Sequence, residues 1–230
     1  DRLIQRFDTY NKIQSSAALN ALTQKESMAA TLLDAMKSGT VDRSLMTAYY
    51  ARALSNLKSP LIDEKLALVW GKVNATPEAT QNRIDQLETS YAEAPLWAFR
   101  TLSGQAHFET LCSACHQPSK TDANIGPNLN GSGPNGARYF LENIIDPNAV
   151  VGSDYAISTI KTKSGQTLSG ILDIQTETAV TLKTIADSTT IPRSDIESIS
   201  ESPQSMMPPG LLDTLNDREI TELIKYLETL

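Results

Sequence analysis

Cys112, Ser113, Ala114, Cys115 and His116 set the chain's only two cysteines beside one of its only two histidines. Three chemistries use two thiols at this spacing. A structural zinc site needs four ligands. His107 is the only other histidine and there is no third cysteine, so a carboxylate would have to complete the set. Dithiol redox chemistry expects the motif at a strand-to-helix junction in a βαβ setting, whereas the flanks here read as helix and loop. The third chemistry is covalent haem, for which Cys-x-x-Cys-His is the attachment signature. Two thiols on one helical turn reach the two vinyl groups of a porphyrin edge, and the next residue projects its imidazole at the iron through Nε2. At ordinary residue usage the pattern arises by chance in on the order of one chain in a thousand of this length. Two structural cysteines beside a histidine is therefore the weaker reading. The spacing points to one haem c, attached at Cys112 and Cys115, with His116 as metal ligand.

A low-spin electron carrier needs a second axial ligand. Met207 lies in "SPQSMMPPGLL"; its soft, neutral thioether favours Fe(II) and raises the reduction potential. Pro208 and Pro209 stiffen the loop that holds it. Met206 is the rival, and Met207 is preferred because it directly precedes proline. His107 precedes the motif by less than two helical turns and would have to reach the opposite haem face. Two alternatives stay open: both methionines as core filler, or a five-coordinate haem. Phe108 lies one turn before Cys112 and can pack on the same side. In "GPNL", the Pro127 carbonyl could accept from Nδ1–H of His116, fixing the ring and raising its basicity, with Leu129 against the porphyrin. A plain turn proline is the competing reading of Pro127. Arg138 and Tyr155 are propionate partners only if they are not simply surface or packing residues.

These side chains need elements to position them. Residues 1–97 read as helical. Met28 to Met36 and Leu45 to Leu57 suggest two helices around the turn Ser38-Gly39-Thr40. A third pattern runs from Leu61 to Val73 after Pro60. Thr76 offers an N-cap with Pro77 at the first helical position, and Ile84, Leu87 and Tyr91 form one apolar face. Antiparallel helices with short turns suggest a small bundle or stacked helix pairs, without a repeat at the letter level. Trp70 and Trp97 read as core residues. A short helix runs from Gly104 into the cysteine motif, followed by the loop Asn124 to Gly136. A further helix spans Ala137 to Ile145 and ends before Asp146-Pro147. Residues 153–200 are dense in Thr, Ile, Val and Leu, with turn signals at Ser164-Gly165 and Ala186-Asp187. Four or five antiparallel strands follow from that pattern, most easily closed as a small barrel. A last helix begins near Asp217, with Ile220, Leu223, Ile224 and Leu227 as its stripe.

Composition narrows the function. The 230 residues are 40% hydrophobic, enough for one large domain or two small ones. The formal net charge is −7 without a Lys/Arg cluster, a poor match for nucleic acid or an anionic membrane surface. No apolar run approaches the roughly 20 residues of a membrane-spanning helix. The chain begins at Asp1 without a signal peptide, as expected if an export signal has been removed.

"GQAHFETLCSACH", "GPNL", "SMMP" and "EITELIKYL" together resemble a class I cytochrome c domain. The resemblance implies haem thioethers at Cys112 and Cys115, His116 as proximal and Met207 as distal ligand, and the Pro127 carbonyl orienting His116. It also implies that the terminal helix, through Leu223 and Tyr226, crosses the first helix near Gly104 and Phe108. The strand-rich segment is a departure from ordinary small cytochromes. However, "FLENIIDPNAVVGSDY", "TKSGQTLSGIL", "IPRSDIESI" and "SMMPPGLLD" resemble the planctomycete-type haem-binding domain, which often follows a dehydrogenase β-propeller and HEAT-like helices. The expected architecture is mainly α: a HEAT-like helical domain over 1–97, then a cytochrome c domain over 98–230. That domain carries an inserted Sm/SH3-like antiparallel β-barrel at 154–200. The implied function is one-electron transfer rather than catalysis, at a periplasmic or otherwise exported location. The implied partner is a dehydrogenase domain, a quinoprotein or another cytochrome. The alternatives are a haem enzyme or ligand sensor with an open distal site, and a docking module of a larger dehydrogenase.

Overall fold

The computed structural model describes residues 2–98, 100–116 and 125–230, so Asn124, the expected first residue of the loop after the cysteine motif, lies outside them. Two compact units emerge, Asp1–Ala75 with Ala149–Ser153, and Thr76–Asn148 with Asp154–Leu230.

The first unit holds α1 (Arg2–Gln5), α2 (Lys12–Leu22), α3 (Glu26–Lys37), α4 (Ala48–Ser55), α5 (Pro60–Val69) and the strands β1 (Gly71–Val73) and β2 (Val150–Gly152). Its local signals are ordinary. Asn11 and Gln14 form a capping box at α2, satisfying backbone N–H groups that an open helix end leaves orphaned. Ser59 caps α5, with Pro60 in its first turn. Leu32, Leu33, Leu54, Ile62 and Leu66 are almost fully buried in its core. α3 packs on α5, and the consecutive helices α2–α3 and α4–α5 also touch each other. The apolar pattern that runs on to Val73 is split. α5 stops at Val69, and Gly71, at φ +152°, opens an antiparallel ribbon in which it pairs with Gly152. A Cβ at Gly71 would lie 2.3 Å from the Val151 carbonyl oxygen, so only glycine allows that approach. Trp70 packs against this core, as expected.

The second unit contains α6 (Glu78–Glu93), α7 (Thr101–Leu111), the single turn α8 (Ser113–His116), α9 (Gly136–Ile145), five strands and α10 (Asp217–Leu227). Pro77 is the N-cap of α6, in extended backbone at ψ 145°, so the helix starts one residue later than Thr76 would have set it. Ile84 and Leu87 of α6 join Phe108, Leu141, Leu223 and Ile224 in one buried cluster. α6 is also tied outward: Tyr91 donates to the Glu228 carboxylate, and Arg138 of α9 pairs with Asp85 and Glu88. The Asn216–Glu219 capping box starts α10. α10 crosses α7 at Gly104, where a Cβ would sit 2.0 Å from the Glu222 carbonyl oxygen. Phe108 and Tyr226 meet beside that crossing, ring centroids 5.4 Å apart. Trp97 departs from the core reading. It is 59% exposed, with the Arg218 guanidinium 4.9 Å over its ring.

The strands are β3 (Ala156–Thr162), β4 (Thr167–Gln175), β5 (Ala179–Lys183), β6 (Ser188–Pro192) and β7 (Ile196–Ser205), in the antiparallel order β6-β5-β4-β3-β7. Turns fall where Ser164-Gly165 and Ala186-Asp187 predict them. The expected barrel does not form. Closure requires a ladder between the two outer strands, but β6 pairs with β5 and β7 with β3. β6 buries only Ile191 among its five residues, so it offers a solvent-facing edge rather than a closing strand. Ile160, Val180, Leu182 and Ile191 form a small core on the sheet itself. Among the described residues, helix makes up 52% and strand 19%, so helical parts are combined with open antiparallel sheets rather than the fold being mainly α with a barrel.

Candidate functional site

α7 delivers the cysteine motif. Its last turn runs through Phe108, 2% exposed, to Cys112, whose N–H donates to the Phe108 carbonyl at 2.8 Å. The chain then makes one more turn. The Cys112 carbonyl accepts from Cys115 N–H at 3.1 Å and from His116 N–H at 3.0 Å. This turn explains why the five residues behave as one unit: both thiol-bearing positions and the imidazole sit on a single hydrogen-bonded loop of backbone.

The "GPNL" loop returns against it. Gly126 N–H donates to the Cys115 carbonyl at 2.9 Å. A Cβ on Gly126 would come within 2.8 Å of His116 Cε1, so glycine is what lets the loop lie on the ring. His116 Nδ1 is 2.9 Å from the Pro127 carbonyl oxygen. A carbonyl can only accept, so Nδ1 carries the proton, and Nε2 keeps a free lone pair. Burial pushes the His116 pKa down, partly offset by the Pro127 hydrogen bond, so the ring is neutral at pH 7 and able to ligate. The far side of the loop is held by the end of α10. Gly131 N–H donates to the Leu230 carbonyl at 2.7 Å, and a Cβ on Gly133 would strike the Glu228 carbonyl oxygen at 2.2 Å.

Four of the expected site residues, Phe108, Cys112, Leu129 and Met207, share one large core. Phe108 belongs to the second unit's core, and Cys112, Leu129 and Met207 are partly buried against it. Cys115 and His116 are also partly buried. Arg138 is engaged by Asp85, Glu88 and Glu142. A separate cavity of about 490 Å³ between α6, α9 and Gly210–Leu215 is lined by Arg83, Leu87, Ile144 and Leu211, not by the cysteine motif.

Burial pushes the Cys112 thiol up to about 11, with Cys115 adding to the shift, and burial raises Cys115 as well. Both thiols are therefore protonated at neutral pH. Dithiol exchange depends on thiolate, so these cysteines are poor redox thiols. Among the described residues, no group of three or more His, Cys, Asp or Glu side chains could hold a metal ion. The residues present suit a haem c: two thiols and an imidazole on one backbone turn, an Nε2 lone pair left free by the Nδ1 hydrogen bond, and Phe108, Leu129 and Met207 in the apolar core against which Cys112 packs.

The comparison with known families agrees with that fit. Residues 102–177 match the family model for cytochrome c. The matched segment begins inside α7, takes in the whole cysteine motif and α9, and ends just after β4. It therefore covers His116 and Pro127 but stops before Met207. The match gives this segment a haem-binding, electron-transfer character and, in general terms, a redox protein as partner. No curated protein matches the chain. No helix among the described residues is long and apolar enough to cross a membrane.

Two features escaped the sequence reading. Gly126 looked like one more loop glycine, and its place immediately before the proline was the available signal. The anchoring of the loop by Glu228 and Leu230 had no signal, because it joins positions about a hundred residues apart through tertiary packing.

Proposed function

We propose that this chain is a c-type cytochrome unit that passes single electrons through one covalently held haem with His116 and Met207 as axial ligands. The observation that carries the reading is the Nδ1 hydrogen bond of His116 to the Pro127 carbonyl. It leaves Nε2 as the coordinating atom and holds the ring in one orientation. Bound haem supplies the Fe(III)/Fe(II) couple. The protein does the rest. The Cys112 and Cys115 thiols, kept protonated by burial, would hold the haem through thioether links to its two vinyl groups. Phe108 and Leu129 exclude water beside the proximal turn. Met207 offers a neutral sulfur, which favours the reduced state. Met207 is preferred to Met206 because it packs against the second unit's core.

Haem c is attached outside the cytoplasm in bacteria, so we place the protein in the periplasm or another exported location. The motifs around α9 and the sheet support a planctomycete-type haem-binding domain. Its donor is then a dehydrogenase domain, a quinoprotein or a second cytochrome. Intact-mass measurement of protein exported with a haem-attachment system tests the core of the reading. The chain should gain the mass of one haem, and proteolysis should leave that mass on the peptide containing Cys112 and Cys115. An unmodified mass would overturn it.

A further inference from the structure

The strand segment separates the proximal and distal parts of the site, and its two ends are fastened together at the distal loop. β3 begins and β7 ends at one paired position, Ala156 opposite Ser205. Met207 is two residues beyond. Asn148, in the turn after α9, reaches across so that its Oδ1 accepts from Ser205 N–H at 2.9 Å. Ser205 Oγ in turn accepts from Met207 N–H at 3.1 Å. Both bonds are partly buried, which gives them more weight than exposed ones. On the other side of Met207, Pro208 and Pro209 have no N–H to donate. The Met207 amide is thus the last backbone donor before the loop stiffens, and it is satisfied by the end of the sheet.

We infer that Asn148 and Ser205 are positioning residues for Met207, and that the inserted sheet serves as a clamp that presents the distal sulfur. This rests on the proposed ligation by Met207. The chain of contacts is short and directional: the Asn148 side chain fixes the end of β7, and the Ser205 hydroxyl fixes the Met207 backbone. Neither residue touches the iron. Their loss leaves the sulfur available but less often in place, so an external ligand competes better for the distal position.

The test compares haem-loaded wild type with Ser205→Ala, Ser205→Thr, Asn148→Ala and Met207→Ala. Imidazole binding to the ferric protein is titrated, the weak long-wavelength sulfur-to-iron band is recorded, and Met207 amide exchange is followed by NMR. Ser205→Ala should bind imidazole roughly fivefold tighter, the worth of one ordinary hydrogen bond, and its Met207 amide should exchange faster. Asn148→Ala should move both in the same direction, so the inference remains testable if either variant folds poorly. Ser205→Thr keeps the acceptor and should behave as wild type. Unchanged imidazole affinity and Met207 exchange in both alanine variants would overturn the positioning role, with Met207→Ala still losing the sulfur band. If Met207→Ala keeps that band, the ligation reading fails and the inference falls with it.

Discussion

The two sides of the candidate site are built in opposite ways. On the proximal side, Cys112, Cys115, His116, Gly126 and Pro127 bond to one another through near neighbours in sequence, and only the far end of their loop is held from a distance, by Glu228 and Leu230. On the proposed distal side, Met207 is bonded to Ser205, which is bonded to Asn148, 57 residues ahead of it, with a five-stranded sheet formed in between. A proximal ligand wired locally can be read as a motif. A distal ligand presented by a distant scaffold cannot, because its placement exists only after α9, the sheet and α10 have packed. The family match covers the proximal side, with Asn148, β3 and β4, and stops before Met207.

The largest expected effect falls on the proximal side. Replacing both cysteines, Cys112→Ser with Cys115→Ser, should drop covalently retained haem to background, so that acidified organic solvent extracts all the pigment. Pigment still fixed to the chain would break the comparison at its root. Next in size is the helix crossing that supports both sides. Gly104→Ala pushes a Cβ to 2.0 Å from the Glu222 carbonyl oxygen and should destabilise the protein by about 3 kcal/mol, at the upper end for overpacking. Urea denaturation measures it; a loss under about 0.5 kcal/mol would mean that α7 and α10 do not cross as described.

On the distal side, Met207→Ala should abolish the sulfur-to-iron band and let the ferrous protein bind carbon monoxide, while Met206→Ala leaves both unchanged. The reverse pattern would move the distal role to Met206. A smaller proximal effect sharpens the contrast. Gly126→Ala crowds His116 Cε1, so the ring must shift against Pro127. The reduction potential should move measurably while haem stays attached. The smallest effect concerns pH. In the haem-free chain the Cys112 thiol is pushed up from 9.0 to about 11. A raised folded value means that the folded state keeps the proton, so this stability is complete below pH 9 and is lost as pH climbs through about 11. Alkylation of Cys112 should accordingly stay slow at pH 9 and speed up only towards pH 11. Fast labelling at pH 8 would show the thiol to be exposed.

Legibility in the sequence follows the same division. α9, α10 and the strand turns came from local signals: the residue before Pro147, the Ile220–Leu227 stripe, Gly165. The ladder partners of β6 and β7 did not, because alternation of apolar residues says which face is buried and nothing about whether outer strands meet. That is why a barrel was expected where an open sheet stands. Trp97 was misread for a related reason. Its ring is large enough to suggest burial, but Arg218 covers one face in the open. The place of α6 in the second unit's core also depends on which partner its Ile84 and Leu87 find, a tertiary choice. The cysteine motif needed no such choice.

The most direct test of the account is the alkaline pyridine spectrum of the exported protein, read against protein concentration after acid–solvent extraction. The account predicts one haem per chain, left in the protein fraction, with the band position of a porphyrin whose two vinyl groups are saturated. A colourless protein, or pigment that leaves with the solvent and shows intact vinyl groups, would contradict it.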